Sequence, residues 1–453
     1  MPVEMIEPLD FEDLRRRLRE EAHADLAPLL EGLQNQDVAA LAAGLSPEEG
    51  GRLIHALAPE RAPDIFSYLP LEQQRGLLEI LHDDERARIL ARVSFDDVAA
   101  LLDGLPEAET ETLLALLPGD RRHLVRQLLS YPRESAGRRM TPGFLAVRPD
   151  WTLGRALDHL RSEYEHSETV NVVFVTDDAG HLLGTVRLKD LLVGSPRRRV
   201  DSLLQEEVIS TRVDTDQEEA AWLIRHYDLE VLPVVDGRDV LVGILTVDDV
   251  MDVITEETTE DFLRMGSVGP IAPGLKDAAL GLLYRKRVGW LVILVFVNLV
   301  SGAVISLFER SIETVVALVF FLPLVIATGG NAGSQASTLL VRSLATGEVQ
   351  SRDWLRLLGK ELLVSGALGL TLGGAVWLAA VWLAGPQVGL AVAVAMVLVV
   401  VLGSLVGLLL PLVLIRLRLD PATASAPLVT SISDVGGILL YFAVATAILA
   451  FGG

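Results

Sequence analysis

The sequence predicts a multidomain membrane protein: an α-solenoid of short helices, then two tandem α/β units, then an all-α domain of five transmembrane helices. Three observations carry this prediction. Apolar residues recur every twelve positions early in the chain, a helix–strand–strand–helix pattern then occurs twice, and five apolar runs of spanning length fill the remainder. A chain of 453 residues has room for all three parts.

The repeat occupies residues 1–137. Leu45, Leu57, Leu69, Leu81, Val93, Leu105 and Leu117 stand twelve apart, most of them opening a turn or cap signal such as LSPEE, LAPER or LPGDR. Eight and nine residues after each comes an apolar pair, for example Leu53-Ile54, Ile65-Phe66 and Leu101-Leu102. Proline or an acid in the first turn followed by an apolar stripe reads as a short capped helix. Such units cannot each bury a face alone, so they are expected to stack as a solenoid.

Strands begin in the second region. VNVVFVT, a DDAGH turn and LLGTVRL return as EVLPVVD, GRDV and LVGILTV, each copy preceded by an amphipathic helix. The copies are assigned to residues 138–200 and 201–258. A connecting helix is expected over 259–287, ending in the basic cluster Arg285, Lys286 and Arg287.

The membrane domain, 288–453, holds apolar runs at about 288–308, 314–340, 361–384, 388–415 and 421–451. Arginine and lysine cluster before the first run and in the links 341–360 and 416–420. The positive-inside rule makes these sites cytoplasmic, which puts the N-terminus inside and the C-terminus outside. Mean hydropathy is +0.40 despite 22% charged residues. Seven acidic and seven basic residues follow Val288, so the whole net charge of −22 belongs to residues 1–287. An acidic half of this kind repels nucleic acid and attracts cations. The absence of cysteine excludes disulfides, thiolate metal sites and cysteine nucleophiles. The charged start, MPVEMIEPLDFEDLRRRLREE, is not expected to be a cleavable signal.

Three stretches carry candidate chemistry. ATGGNAGSQAST, 327–338, interrupts the second span. Gly329 and Gly333 form a GxxxG pair that lets helices approach closely. Asn331, Ser334, Gln335, Ser337 and Thr338 accompany them, and polar groups at this depth belong in protein or beside a wet cavity. In the fifth span, Asp434 is the only acidic or basic side chain after Asp420. A carboxylate there costs about 2.5–3.5 kcal/mol on insertion scales, so it marks an interior or a water path. With Pro427, Thr430 and Ser431 upstream it makes an oxygen-rich site for a hard cation. No histidine or cysteine in the membrane part offers a softer alternative. The third stretch, DDVMDVITEETTED at 248–261, has seven acids and no base. Asp249, Asp252, Glu256 and Glu260 share a helix face, with Glu257 and Asp261 beside it. Together with Asp214, Asp216, Glu218, Glu219 and Asp228 this suggests a divalent-cation sensor.

The tandem units resemble a pair of CBS domains through VFVTDD…LLGTVRLKDL and LPVVD…LVGILTVDDV. With PLVIATGGNAGSQASTLLVRSLATGE in span two and DPATASAPLVTSISDVGGILLYF in span five, essentially the whole chain resembles the MgtE family of magnesium transporters. The resemblance implies a homodimer in the inner membrane of the cell and no enzymatic activity. Asp434 would bind hydrated Mg²⁺ in a pore on the dimer axis. Gly329, Gly330, Asn331, Gly333, Gln335, Pro427, Thr430 and Ser431 would line that pore. Regulatory Mg²⁺ would bind Asp216, Asp228, Asp249, Asp252, Glu257, Glu260 and Asp261, with Glu218 close by and Asp96 in the helical domain, closing the pore as cytosolic Mg²⁺ rises. The chain departs from the family pattern at Ala426, eight residues before Asp434, and at Ala100, four after Asp96. Val172 and Leu229 replace aromatic residues that hold adenine in nucleotide-binding relatives, leaving Lys189 and Asp190 as candidate contacts to ATP. The main alternative is a proton- or sodium-coupled divalent-cation transporter with Asp434 as coupling site. An intramembrane aspartyl protease needs a second Asp, available only across a dimer axis. A membrane-anchored nucleotide sensor leaves the polar stretch of span two unexplained.

Overall fold

The computed structural model comprises two units, Met1–Thr255 and Glu256–Gly453. It describes residues 11–19, 30, 32–164, 167–269, 278–345, 348–349 and 351–451.

The helical domain follows the twelve-residue period. Helices Pro47–Ala56, Ala62–Ser67, Leu71–Ile80, Asp83–Leu90, Phe95–Leu102, Glu107–Leu116 and Gly119–Ser130 each follow one turn signal. Ser46 begins the first with a full capping box, its hydroxyl accepting from Glu49 N–H while the Glu49 carboxylate accepts from Ser46 N–H. Leu45, Leu57, Leu69, Leu81, Val93 and Leu117 are buried, and Leu105 packs against the same core. The helices stack on alternate neighbours, Pro47–Ala56 on Leu71–Ile80 and Asp83–Leu90 on Glu107–Leu116, so the packing unit is two sequence repeats. Side chains four residues past the repeat leucine secure this stacking. Arg61 donates to the carbonyls of Leu30 and Leu33, both at 2.8 Å, and Gln73 to that of Ala42 at 2.6 Å. Arg121 reaches the Leu90 and Val93 carbonyls in the same way. Each satisfies a helix end about thirty residues upstream, whose last carbonyls have no partner within their own helix.

The α/β part holds two three-stranded sheets: β1 (Ala146–Val147), β2 (Val172–Thr176) and β3 (Leu182–Arg187), then β4 (Thr211–Arg212), β5 (Val231–Val235) and β6 (Leu241–Thr246). In each, the first strand is parallel and the third antiparallel to the middle one. The start of each copy crosses to the other copy's sheet: Thr141 exchanges two backbone bonds with Ile244, and Gln205 does so with Thr185. Glycine in LLGTV and LVGIL makes this crossing possible. A Cβ at Gly184 would lie 2.4 Å from Leu204, and one at Gly243 would lie 2.6 Å from Met140.

The connecting helix expected over 259–287 is not one element. Residues 259–265 end the helix Val247–Met265, and residues 280–287 open the first span, Leu280–Ser306. The first helix stops at Gly266 and at Ser267, whose φ is +58°. Residues 270–277, within the expected 259–287, lie outside the described residues.

Among the described residues, five helices have the length and composition to cross a membrane: Leu280–Ser306, Ala317–Ala345, Trp354–Ala384, Pro386–Arg416 and Ala426–Ala450, the last belonging to helix Ala426–Phe451. They outrun the apolar stretches at several ends because backbone bonding continues where lipid contact stops. Span two stays helical through ATGGNAGSQAST, so the interruption is one of polarity and not of backbone. Span four is central, packing on spans two, three and five, while span one packs on span five. Spans two and four meet at paired glycines. A Cβ at Gly403 would lie 2.1 Å from the Gly329 carbonyl, and one at Gly407 would lie 2.0 Å from that of Gly333.

Candidate ion site and acidic clusters

Asp434 lies on span five beside span two. A Cβ added at Gly330 would sit 3.0 Å from Thr430 Cγ2 and 3.6 Å from Asp434 Oδ1, so Gly330 packs closely on Thr430 and lies within contact range of the carboxylate. The nearby hydroxyls turn away from it. Thr430 and Ser431 both donate to the Pro427 carbonyl, at 3.0 and 2.8 Å. No described side chain hydrogen-bonds to Asp434. Helical spacing puts Asn331, Gln335 and Thr338 on one face of span two, and all three are exposed on the single chain.

The pore-lining set expected from sequence therefore divides. Gly330 and Thr430 lie next to Asp434. Gly329 and Gly333 do not line that face: they are buried against Val399 and Gly403 of span four. Their i, i+4 spacing matches Gly403 and Gly407 one turn apart on the partner helix. Ser431 is buried, and Pro427 serves as the acceptor for two hydroxyls. At the opposite end of span five, the buried Tyr441 donates to the Leu318 carbonyl at 2.8 Å, and Phe442 stacks on Phe308 at 5.0 Å.

The carboxylates outside the membrane-spanning helices form separate groups. Helix Phe95–Leu102 brings Asp96 and Asp97 towards the start of helix Val247–Met265, and charge interactions join them to Glu168, Asp248, Asp249 and Asp252. Burial, followed by Asp249 and Asp97, holds the Asp96 carboxyl well above the usual range. Burial also raises Asp249 to about 6, with Asp248, Glu168 and Asp97 adding to the shift and a 2.6 Å bond from Thr246 Oγ1 opposing it. Asp97 and Glu168 are raised by the same desolvation. Sequence reasoning misses both Asp97 and Glu168. The Phe95-Asp96-Asp97 run contains a signal for the first, whereas Glu168 stands in a loop with none.

Roughly three turns further along the same helix, Glu257, Glu260 and Asp261 form a second group. Burial and then Glu257 raise the Asp261 carboxyl, with Arg264 opposing. Asp216 and Asp228 stand at opposite ends of helix Gln217–Tyr227, about 18 Å apart at 1.5 Å per residue, so one ion cannot bridge them. Asp216 caps that helix by accepting from Glu218 N–H at 2.8 Å, and Asp228 ends it with φ of +50°. Among the described residues no three acidic or histidine side chains are close enough to hold a metal ion on one chain. Lys189 and Asp190 lie in helix Leu188–Val193, with Lys189 exposed and the Asp190 carbonyl accepting from Gly194 N–H. Val172 opens β2 opposite Arg187, and Leu229 packs into the core of the second copy.

Known proteins share this arrangement. A family model described as a divalent cation transporter matches residues 322–444, the MgtE intracellular N domain matches 24–134, and the CBS domain matches 136–195 and 200–256. The magnesium transporter MgtE of Thermus thermophilus is 41% identical over 359 residues, covering 79% of this chain and 80% of that one. MgtE of Bacillus subtilis is 34% identical over 355 residues, 78% of each chain. A crystal structure of the cytosolic domain of the Mg²⁺ channel MgtE in complex with ATP aligns at a TM-score of 0.51 and 37% identity, over 54% of this chain and 99% of that one. The soluble part of a magnesium transporter aligns at 0.50 and 30% identity, over 55% and 97%. The chain belongs to the MgtE family of magnesium transporters.

Proposed function

We propose that the protein is a homodimeric Mg²⁺ channel of the inner membrane, with Asp434 of each chain at the ion path, closed by Mg²⁺ on its cytosolic carboxylates. The observation that carries the pore is Asp434 itself: a membrane-depth carboxylate beside Gly330 of span two, with no hydrogen bond from a described side chain. The exposed Asn331 and Gln335 on span two favour a second chain and a wet path beside them, since amides facing lipid would be costly.

Mg²⁺ loses its waters reluctantly, so Asp434 carboxylates would hold it largely hydrated. Entry into a negative interior releases about 4.6 kcal/mol per 100 mV for a dication, twice the single-charge figure. No proton or sodium coupling is then required, which favours a channel over a coupled transporter. The basic clusters favour a cytoplasmic N-terminus and, with five spans, an external C-terminus.

For the sensor, the support is mutual repulsion. Asp96, Asp97 and Asp249 are half-buried beside one another with the exposed Glu168 near them, and their desolvation and mutual repulsion carry an energetic penalty that a bound dication would relieve. Asp252, Glu257, Glu260, Asp261, Asp216, Glu218 and Asp228 extend this acidic surface. Mg²⁺ closes the pore only if it binds the closed state more tightly than the open one. ATP at the CBS pair is a secondary reading, supported by the ATP-bound relative and weakened by aliphatic Val172 and Leu229 where adenine would stack.

Mg²⁺ flux into liposomes, compared between wild type and Asp434→Asn, tests the pore. Reversal potentials separate the channel, which follows the Mg²⁺ gradient alone, from a coupled transporter. Protease protection of residues 200–290 by Mg²⁺ tests the sensor, and no protection would remove it.

A further inference from the structure

A junction at the end of the second acidic group joins it to the start of span five within the second unit. Arg264, in the last turn of helix Val247–Met265, binds two carboxylates: Glu260 one turn back and Asp420 in the link before span five. Three residues on, the Ser267 hydroxyl donates to that of Ser425 at 2.7 Å. Ser267 stands in the left-handed region, which favours glycine, and so is held in a strained conformation at this contact. Ser425 is buried and begins span five, its carbonyl accepting from the N–H groups of Leu428 and Val429. The adjoining Ala424 carbonyl accepts from Ser337 of span two at 3.0 Å. The six residues Asp420–Ser425 are thus held from one side by the acidic helix and from the other by the polar stretch of span two. Asp434 follows nine residues later, roughly 13 Å along the helix at 1.5 Å per residue.

We infer that Arg264 is the positioning residue that reports cation occupancy of the acidic helix to span five. The inference rests on the reading that Mg²⁺ on this helix closes the pore. Glu260 and Asp420 compete for one guanidinium. A dication held by Glu260 together with carboxylates of a second chain neutralises Glu260 and repels Arg264, and both effects drive Arg264 wholly onto Asp420. The hold on the start of span five then tightens as Mg²⁺ binds. Asp420 also caps the turn Pro421–Thr423, accepting from Ala422 N–H at 2.7 Å. An asparagine there keeps that cap and removes only the charge.

The test is Mg²⁺ flux through the full-length protein in liposomes, with Mg²⁺ titrated on the side of the cytosolic domains. Flux at low Mg²⁺ shows that each variant folds and conducts. The inference predicts that Arg264→Gln and Asp420→Asn each raise the half-inhibitory Mg²⁺ concentration at least tenfold. The double variant should shift no further than either single one, because both remove the same contact. Arg264→Lys, which retains the charge, should stay within about threefold of wild type. If wild type is inhibited while both single variants close at its Mg²⁺ concentration, or if their shifts add in the double variant, the inference is overturned and the sensor reading stands. If wild type is not inhibited by Mg²⁺ at all, the sensor reading fails and the inference with it.

Discussion

Replacing Asp249 with asparagine should stabilise the protein where divalent cations are absent. Asparagine is nearly isosteric and keeps an oxygen for the Thr246 hydroxyl, so the change removes charge and little else. The Asp249 carboxyl is raised from 3.8 to about 6 by burial and by Asp248, Glu168 and Asp97. A shift of that size corresponds to a penalty on the order of 3 kcal/mol for the ionised form. The sign follows from linkage: the folded protein binds the proton more tightly than the unfolded chain does. The penalty is therefore absent below about pH 4, grows as pH rises to 6, and is complete at pH 7. In EDTA at pH 7 the Asp249→Asn variant should melt roughly 6–12 °C above wild type, at about 2–4 °C per kcal/mol for a unit of this size. The difference should vanish near pH 4. Added Mg²⁺ should raise the wild-type Tm more than that of the variant. Thermal melts of the full-length protein from pH 4 to 8, with and without Mg²⁺, measure all three. A variant that melts at or below wild type at pH 7 in EDTA would refute the idea that this carboxylate is buried at a cost.

Two substitutions test the membrane packing. Gly407→Ala places a methyl 2.0 Å from the Gly333 carbonyl and must part spans two and four, whereas Gly366→Ala meets nothing within 4 Å. The first should destabilise by about 1–3 kcal/mol or more, as overpacking does, and the second should leave the detergent Tm near wild type. Tyr441→Phe removes the buried bond to the Leu318 carbonyl and should lose about 1 kcal/mol while retaining Mg²⁺ flux.

Local periodicity makes much of this architecture readable. The leucines twelve apart, the doubled strand pattern and the apolar runs are each set by burial of neighbouring residues, and the helices and sheets follow them. What stays hidden depends on partners distant in sequence. Nothing near Arg61 or Arg121 says that they secure carbonyls about thirty residues upstream, because that depends on helices stacking on alternate neighbours. Gly329 and Gly333 signal close packing, but only span four's own glycine pair reveals which helix they pack against. Asp434 is legible because a lone carboxylate in an apolar span is costly unless it faces water, an ion or a polar interior. The acidic run is legible as a run but not as separate centres, since Asp249 meets Asp97 and Glu168 only in the folded chain. Arg264 and Asp420 are 156 residues apart and carry no local signal of their contact.

The central claim is that Asp434 holds Mg²⁺ in the ion path, and Mg²⁺ uptake into liposomes by wild type and Asp434→Asn tests it most directly. At about 5 Å from a hydrated dication, each carboxylate contributes roughly 1.7 kcal/mol even at the dielectric of water. Two chains then contribute about 3 kcal/mol, a change in ion occupancy of about a hundredfold when both charges are removed. The account predicts that the variant, correctly folded and inserted, loses nearly all Mg²⁺ flux at low external Mg²⁺. Equal flux in the two proteins would contradict it.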